Sequence, residues 1–226
     1  MVVYVTLVAV SSADTEPSSE VSIEDWLLPN EKLRQKLTVK YLAEHSLTRA
    51  PTGNLNRDVR MIPKVIVLHW TGGGSLKSAW NTFAPATLRG RKKLKRAGAL
   101  NVGAHFLIGR DGTIYRMMDE TRILRHCIGL NHVSIGVENI GDGKRWPLTP
   151  EQLKANIELV RYLSGKFPIT HLIGHHEYRG LEKHPYFSEK NPKYRTIKID
   201  PGAKFMKKVR RRVTDLGLKG ARPLAR

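Results

Sequence analysis

The chain has 226 residues, 40% of them hydrophobic and 7% aromatic, enough for one sizeable core and too little for two full domains. Its 39 lysines and arginines against 20 acidic residues give a formal charge of +19, which points to an anionic partner or surface without saying which. The single cysteine, Cys127, excludes a cysteine-rich structural metal site and an intramolecular disulfide, and no stretch approaches the roughly 20 apolar residues of a membrane span.

In chain order, residues 2–10 form an apolar run closed by Ser11, Ser12 and Ala13. It reads as a signal-like segment, which favours export, although no basic residue precedes it. Residues 14–20 are a polar linker. Leu33, Leu37 and Tyr41 then recur every four positions and predict a helix capped by Asn30, an extension packed on the main domain. That domain opens near Pro63. The run Val65, Ile66, Val67 and Leu68, bounded by proline and by Gly72, Gly73 and Gly74, predicts a buried strand with His69 at its end. A second strand over 104–109 turns at Arg110, Asp111 and Gly112 into a third over 113–117, with Asp-Gly expected to supply positive backbone angles. Residues 134–140 predict another strand. Thr149, Pro150 and Gln152 then form a capping box with proline at the first helical position, and Leu153, Ile157, Val160 and Leu163 mark the helix face that follows. Alternating strands and helices predict an α/β sheet covered by helices.

Two separated segments carry the chemistry. His69 ends the first, and the second runs from Ile173, Gly174, His175, His176 and Glu177 on to Lys198, Ile199, Asp200, Pro201 and Gly202. Two histidines and an aspartate without cysteine are the open, three-ligand composition of a hydrolytic zinc site, with a fourth position left for water. A strand end suits such a ligand, because the sheet fixes its backbone while the following loop keeps the metal accessible. His171, His176, Glu177 and His184 compete with His175 for the second place. Ser134, Gly136 and Glu138 share one face of their strand, with Ile135 and Val137 on the other; Lys198 and Asp200 point the same way if their segment is extended.

Together with Val102, Gly103, Ala104, His105 and Phe106 and the Arg-Asp-Gly turn, in this order, these motifs resemble the zinc-dependent N-acetylmuramoyl-L-alanine amidases, a family that shares its fold with peptidoglycan recognition proteins. The resemblance covers roughly residues 60–210. It implies an α/β fold with a central mixed β-sheet flanked by helices and a single catalytic domain. The chain divides into a signal-like segment and linker over 1–20, a helical extension over 21–60, the amidase domain over 61–210 and a basic tail over 211–226. The resemblance further implies Zn2+ held by His69, His175 (the histidine directly after the glycine) and Asp200. Glu138 is then the general base and Lys198 the stabiliser of the oxyanion, while Trp70, Thr71, His126 and Asn131 border the substrate groove. The implied reaction cleaves the amide between the lactyl group of N-acetylmuramic acid and L-alanine, in peptidoglycan or soluble muropeptides, by an exported, monomeric enzyme. A receptor without catalysis would keep the groove but lose a ligand or the glutamate, and all are present.

The chain also departs from the compact members of that family. The stretch between His175 and Asp200 is longer, and its Pro185, Tyr186, Phe187, Pro192 and Tyr194 suit a substrate-covering loop. Basic clusters over 89–96 and after Gly202 are expected to hold anionic wall polymer. No nucleic acid is expected, because no nucleic-acid-binding motif accompanies the charge.

Overall fold

A computed structural model describes residues 21–46, 59–90 and 97–222. The signal-like run and residues 91–96 of the first basic cluster lie outside the described residues. Six strands, β1 (Ile23–Asp25), β2 (Val65–Trp70), β3 (Phe106–Ile108), β4 (Ile114–Arg116), β5 (Ser134–Asn139) and β6 (His171–Gly174), form one sheet in the order β1-β4-β3-β5-β2-β6. β3 and β4 pair antiparallel and the other neighbours pair parallel, so the sheet is mixed. Among the described residues the helices are α1 (Glu31–His45), α2 (Leu76–Phe83), α3 (Pro150–Lys166) and α4 (Ala203–Arg212), with 3-10 segments at His175–Leu181 and Thr214–Leu216. No helix among the described residues is long and apolar enough to cross a membrane.

Alternation along the strands sorts the molecule into two layers. Ile66, Leu68, Ile135, Val137 and Leu172 face one side, where Leu159, Val160 and Leu163 of α3 and Met206 and Val209 of α4 close an aliphatic core. Val65, Val67 and Ile173 face the other, under Cys127, Leu130 and Tyr178. Cys127 is buried, and burial pushes its thiol up, as suits a packing residue. The second layer carries the polar residues of the site.

The capping box at α3 forms as expected. Thr149 Oγ1 accepts from the Gln152 backbone N–H at 3.1 Å, and Gln152 Oε1 accepts from the Thr149 N–H at 3.0 Å. Gln152 Nε2 also donates to Ile140 O (3.0 Å) and Ile108 O (3.2 Å), pinning the helix start to β5 and β3. The turn between β3 and β4 differs from expectation. Only Gly112 takes a positive φ (89°), while Asp111 contributes its carboxylate, which accepts from the Thr113 N–H at 3.1 Å.

α1 also differs. Asn30 is left-handed (φ 60°) and its side chain makes no cap, and Leu33 is exposed, whereas Arg34, Thr38, Tyr41, Leu42 and His45 are buried. The helix is rotated because Arg34 has a better partner than solvent. Its Nη2 donates to the carbonyls of Phe83 (2.8 Å), Pro85 (3.2 Å) and Ala84 (3.3 Å), at the negative end of α2. Replacing Arg34 with methionine takes this donor from the Phe83 and Ala84 carbonyls, while Pro85 O keeps Asn101 Nδ2 (2.8 Å), and urea denaturation should show a loss of about 2 kcal/mol.

Candidate active site

β2 and β5 pair with His69 opposite Glu138, and β2 and β6 with Leu68 opposite Gly174. Register partners point to the same side of a sheet, so Glu138 lies beside His69 on the second layer, and His175 follows one residue beyond β6. The His69 backbone is fixed from behind: Asn139 Nδ2 donates to His69 O (3.0 Å), and Asn156 Nδ2 of α3 donates to Asn139 Oδ1 (2.7 Å). On the far side of β6, residues 197–200 alternate as an extended chain does, with Ile197 and Ile199 exposed and Lys198 and Asp200 turned inward.

Three ligand atoms converge there. His69 Nδ1 lies 2.9 Å from His175 Nδ1, and Asp200 Oδ2 lies 2.9 Å from His175 Nδ1 and 3.3 Å from His69 Nδ1. All three residues are buried. Burial, and then the facing His69, push His175 down to about 4, so its ring is neutral at pH 7 with a lone pair to offer. Burial alone would raise Asp200, but hydrogen bonding with His175 and then His69 outweighs it and holds the carboxyl well below the usual range. A carboxylate only accepts and a neutral imidazole has one lone pair, so with the ring hydrogens on the far nitrogens these three atoms form a donor set that a cation fits. Two imidazoles and one carboxylate beside an open position fit the catalytic zinc layout.

The competing ligands are engaged elsewhere. His176 Nδ1 donates to Asp200 O at 2.9 Å, and its ring folds over Gly174, where a Cβ would come within 2.7 Å of it. Glu177 accepts from Arg210 and from the Gly174 N–H. His171 and His184 pack on each other, ring centroids 4.9 Å apart, at the opposite end of β6.

The triad opens into a cavity of about 230 Å³ whose wall includes Trp70, Thr71, His126, Glu138 and Lys198. Asn131 is placed differently from expectation. It is buried beneath the wall, where Oδ1 accepts the N–H groups of His126 and Cys127, both at 2.8 Å. The wall also includes Tyr194 of the long loop, and Phe83 of α2 and Arg125, which no motif singled out as site residues. Arg125 Nη1 donates to Leu100 O (2.7 Å) and its Nη2 to the Tyr194 hydroxyl (3.0 Å). The long loop thus forms one flank, and α1 supports it through His45 Nδ1, 3.0 Å from buried Glu189 Oε1.

His105, from the Val-Gly-Ala-His-Phe motif, is fully buried under the site. Its Nε2–H donates to Arg122 O (2.7 Å), and its Nδ1 accepts the Gly136 N–H (3.0 Å). Burial pushes it down to about 4, only partly offset by the Arg122 hydrogen bond and by Glu120 and Asp119. The unfolded chain therefore takes up this proton first as pH falls below about 6.5, and stability is lost from there to about pH 4. His105 alone should account for about 3 kcal/mol by pH 4. Denaturant titrations of metal-free protein across this window should show the slope, and His105→Gln should reduce it by that share, leaving the part due to His175 and His126.

A mixed sheet that gathers this donor set at the floor of an open cavity has the layout of a metal-dependent hydrolase. Residues 59–203 match the family model described as N-acetylmuramoyl-L-alanine amidase, and the chain belongs to that family. The endolysin of Enterobacteria phage K11 is 36% identical over 88 residues and that of Escherichia phage T7 39% over 88 residues, each match taking in 37% of this chain and 58% of the relative. The chain thus spans little more than half the length of these relatives. Among solved structures, the N-acetylmuramoyl-L-alanine amidase LysC from Clostridium intestinale URNW is similar at TM-score 0.50 and 26% identity, over 72% of this chain and 90% of that one.

Proposed function

We propose that this chain is a zinc-dependent N-acetylmuramoyl-L-alanine amidase that hydrolyses the amide between the lactyl group of N-acetylmuramic acid and L-alanine of the stem peptide. The observation that carries this reading is the convergence of His69 Nδ1, His175 Nδ1 and Asp200 Oδ2 at a cavity walled by Glu138 and Lys198, in a chain of this family. His69, His175 and Asp200 would hold zinc, which when bound would supply Lewis acidity toward a water and the scissile carbonyl. Glu138, beside His69 on the neighbouring strand, takes the proton from the attacking water and returns it to the departing alanine amine. Lys198 places its charge where the carbonyl oxygen becomes negative, the position at which preorganised charge is most effective. Trp70 and Thr71, at the end of β2, border the groove that holds the substrate.

The natural substrate in this reading is peptidoglycan or its muropeptides, met at the cell wall after export or release. The exposed cations of α4, Lys204, Lys207, Lys208 and Arg211, recur at helical spacing along one stripe and hold the enzyme to anionic wall polymer in a salt-sensitive way. Incubating zinc-loaded and chelated protein with purified peptidoglycan, followed by mass spectrometry, tests the reading. The expected result is zinc-dependent release of stem peptides with a free amino-terminal alanine. Binding to the wall without release under any metal condition would replace the amidase with a non-catalytic receptor.

A further inference from the structure

The hydrogen bonds around His126 determine where the protons sit on two adjacent rings. His126 Nε2 lies 3.1 Å from the Ser134 carbonyl oxygen and 3.2 Å from Ser134 Oγ. A carbonyl can only accept, so Nε2 carries the proton. The Ser134 hydroxyl spends its own hydrogen on Leu130 O at 2.7 Å, which leaves Oγ as a second acceptor for the same N–H. A histidine that offers Nδ1 to a metal carries its hydrogen on Nε2, and His69 turns Nδ1 to the other two ligand atoms and Nε2 to His126. His126, with its own proton on Nε2, has a lone pair at Nδ1. That atom lies 3.1 Å from His69 Nε2, so His69 supplies the hydrogen between them. His69 is then protonated at Nε2, and its Nδ1 faces His175 Nδ1 and Asp200 Oδ2 as a lone pair.

We propose that His126 is a positioning residue that locks the His69 ring, in its Nε2–H tautomer, with Nδ1 presented to the metal. The inference rests on the metal reading given above and deepens it. It also changes the role implied by the resemblance, since both nitrogens of His126 are taken up within the protein and neither is left for a substrate. The surrounding chain is built to hold this ring. Gly136 lies directly against it, and a Cβ there would stand 2.8 Å from both Cγ and Nδ1 of His126. Asn131 fixes the backbone N–H of His126 at 2.8 Å, and His105 takes the Gly136 N–H, so that neither the ring nor the strand under it shifts freely. Partners that set the tautomer and orientation of a ligating histidine typically contribute about 10–100-fold in metal affinity.

Zinc affinity of the full chain, measured by competition with a chromophoric chelator, tests the assignment. His126→Leu is expected to bind zinc about 10–100-fold more weakly than wild type. His126→Asn, whose amide oxygen at the δ position can accept from His69 Nε2–H, is expected to recover most of that loss. Long-range proton–nitrogen spectra of the wild type read the tautomer without any substitution, and the proton should sit on His69 Nε2 in metal-free and zinc-loaded protein alike. Tight zinc binding by the wild type with unchanged affinity in His126→Leu, or a proton on His69 Nδ1 in the metal-free wild type, overturns the inference and leaves the metal reading intact. Failure of the wild type to bind zinc at all overturns the metal reading, and this inference with it.

Discussion

Replacing Glu138 with glutamine should lower kcat by about 10²–10⁴-fold, the usual contribution of a positioned general base, while KM, zinc content and thermal midpoint stay close to wild type. The reasoning is geometric. Glu138 is the register partner of His69, its side chain stands on the same side of the sheet, and it lines the cavity into which the triad opens. Glutamine keeps the shape and the hydrogen-bonding reach but cannot take a proton. Stem-peptide release measured at saturating substrate separates this from a binding defect, which would raise KM instead. A variant that keeps wild-type kcat removes Glu138 from the mechanism and leaves proton transfer to another group.

Asp200→Ala should have the larger effect on the metal. Outer partners of a ligating group contribute about 10–100-fold in affinity, and losing a ligand itself should cost on the order of 10³-fold or more. The remaining His69 and His175 rings lie 2.9 Å apart at Nδ1 without the carboxylate that offsets a cation's charge. Zinc added to wild type should raise its thermal midpoint by mass action, and the same zinc should leave Asp200→Ala unmoved, with peptide release at background. A zinc-dependent rise of the same size in the variant would move the ligand role away from Asp200.

Much of this was legible in the sequence because the signals were local. The β-branched run before His69, the capping box at Thr149 and the two-residue spacing of Lys198 and Asp200 each express a period of the backbone, and each is realised in the structure. What stayed hidden depends on partners distant in sequence. Of Leu33, Leu37 and Tyr41, only Tyr41 is buried and Leu33 is exposed, because the buried face turns toward Arg34, which finds three carbonyls at the end of α2, about fifty residues away. Tyr194 was marked by its loop, but Arg125 becomes cavity wall through partners far along the chain, Leu100 O and the Tyr194 hydroxyl. The resemblance implied Asn131 as a groove residue, but the direction of its side chain is set by two backbone N–H groups that no sequence pattern marks.

The two ends of the sheet are completed by chain from outside the span matched by the family. β1, at Ile23–Asp25, lies along β4, and beyond β6 the Leu172 N–H donates to Lys219 O at 2.9 Å while the Lys219 N–H donates to Thr170 O at 2.9 Å. A protein trimmed to residues 59–203 would keep the triad but expose a row of unpaired donors and acceptors on each outer strand. Such open edges are templates for pairing with other copies. The flanking segments thus have a role separate from catalysis, in closing edges through which copies of the chain could pair.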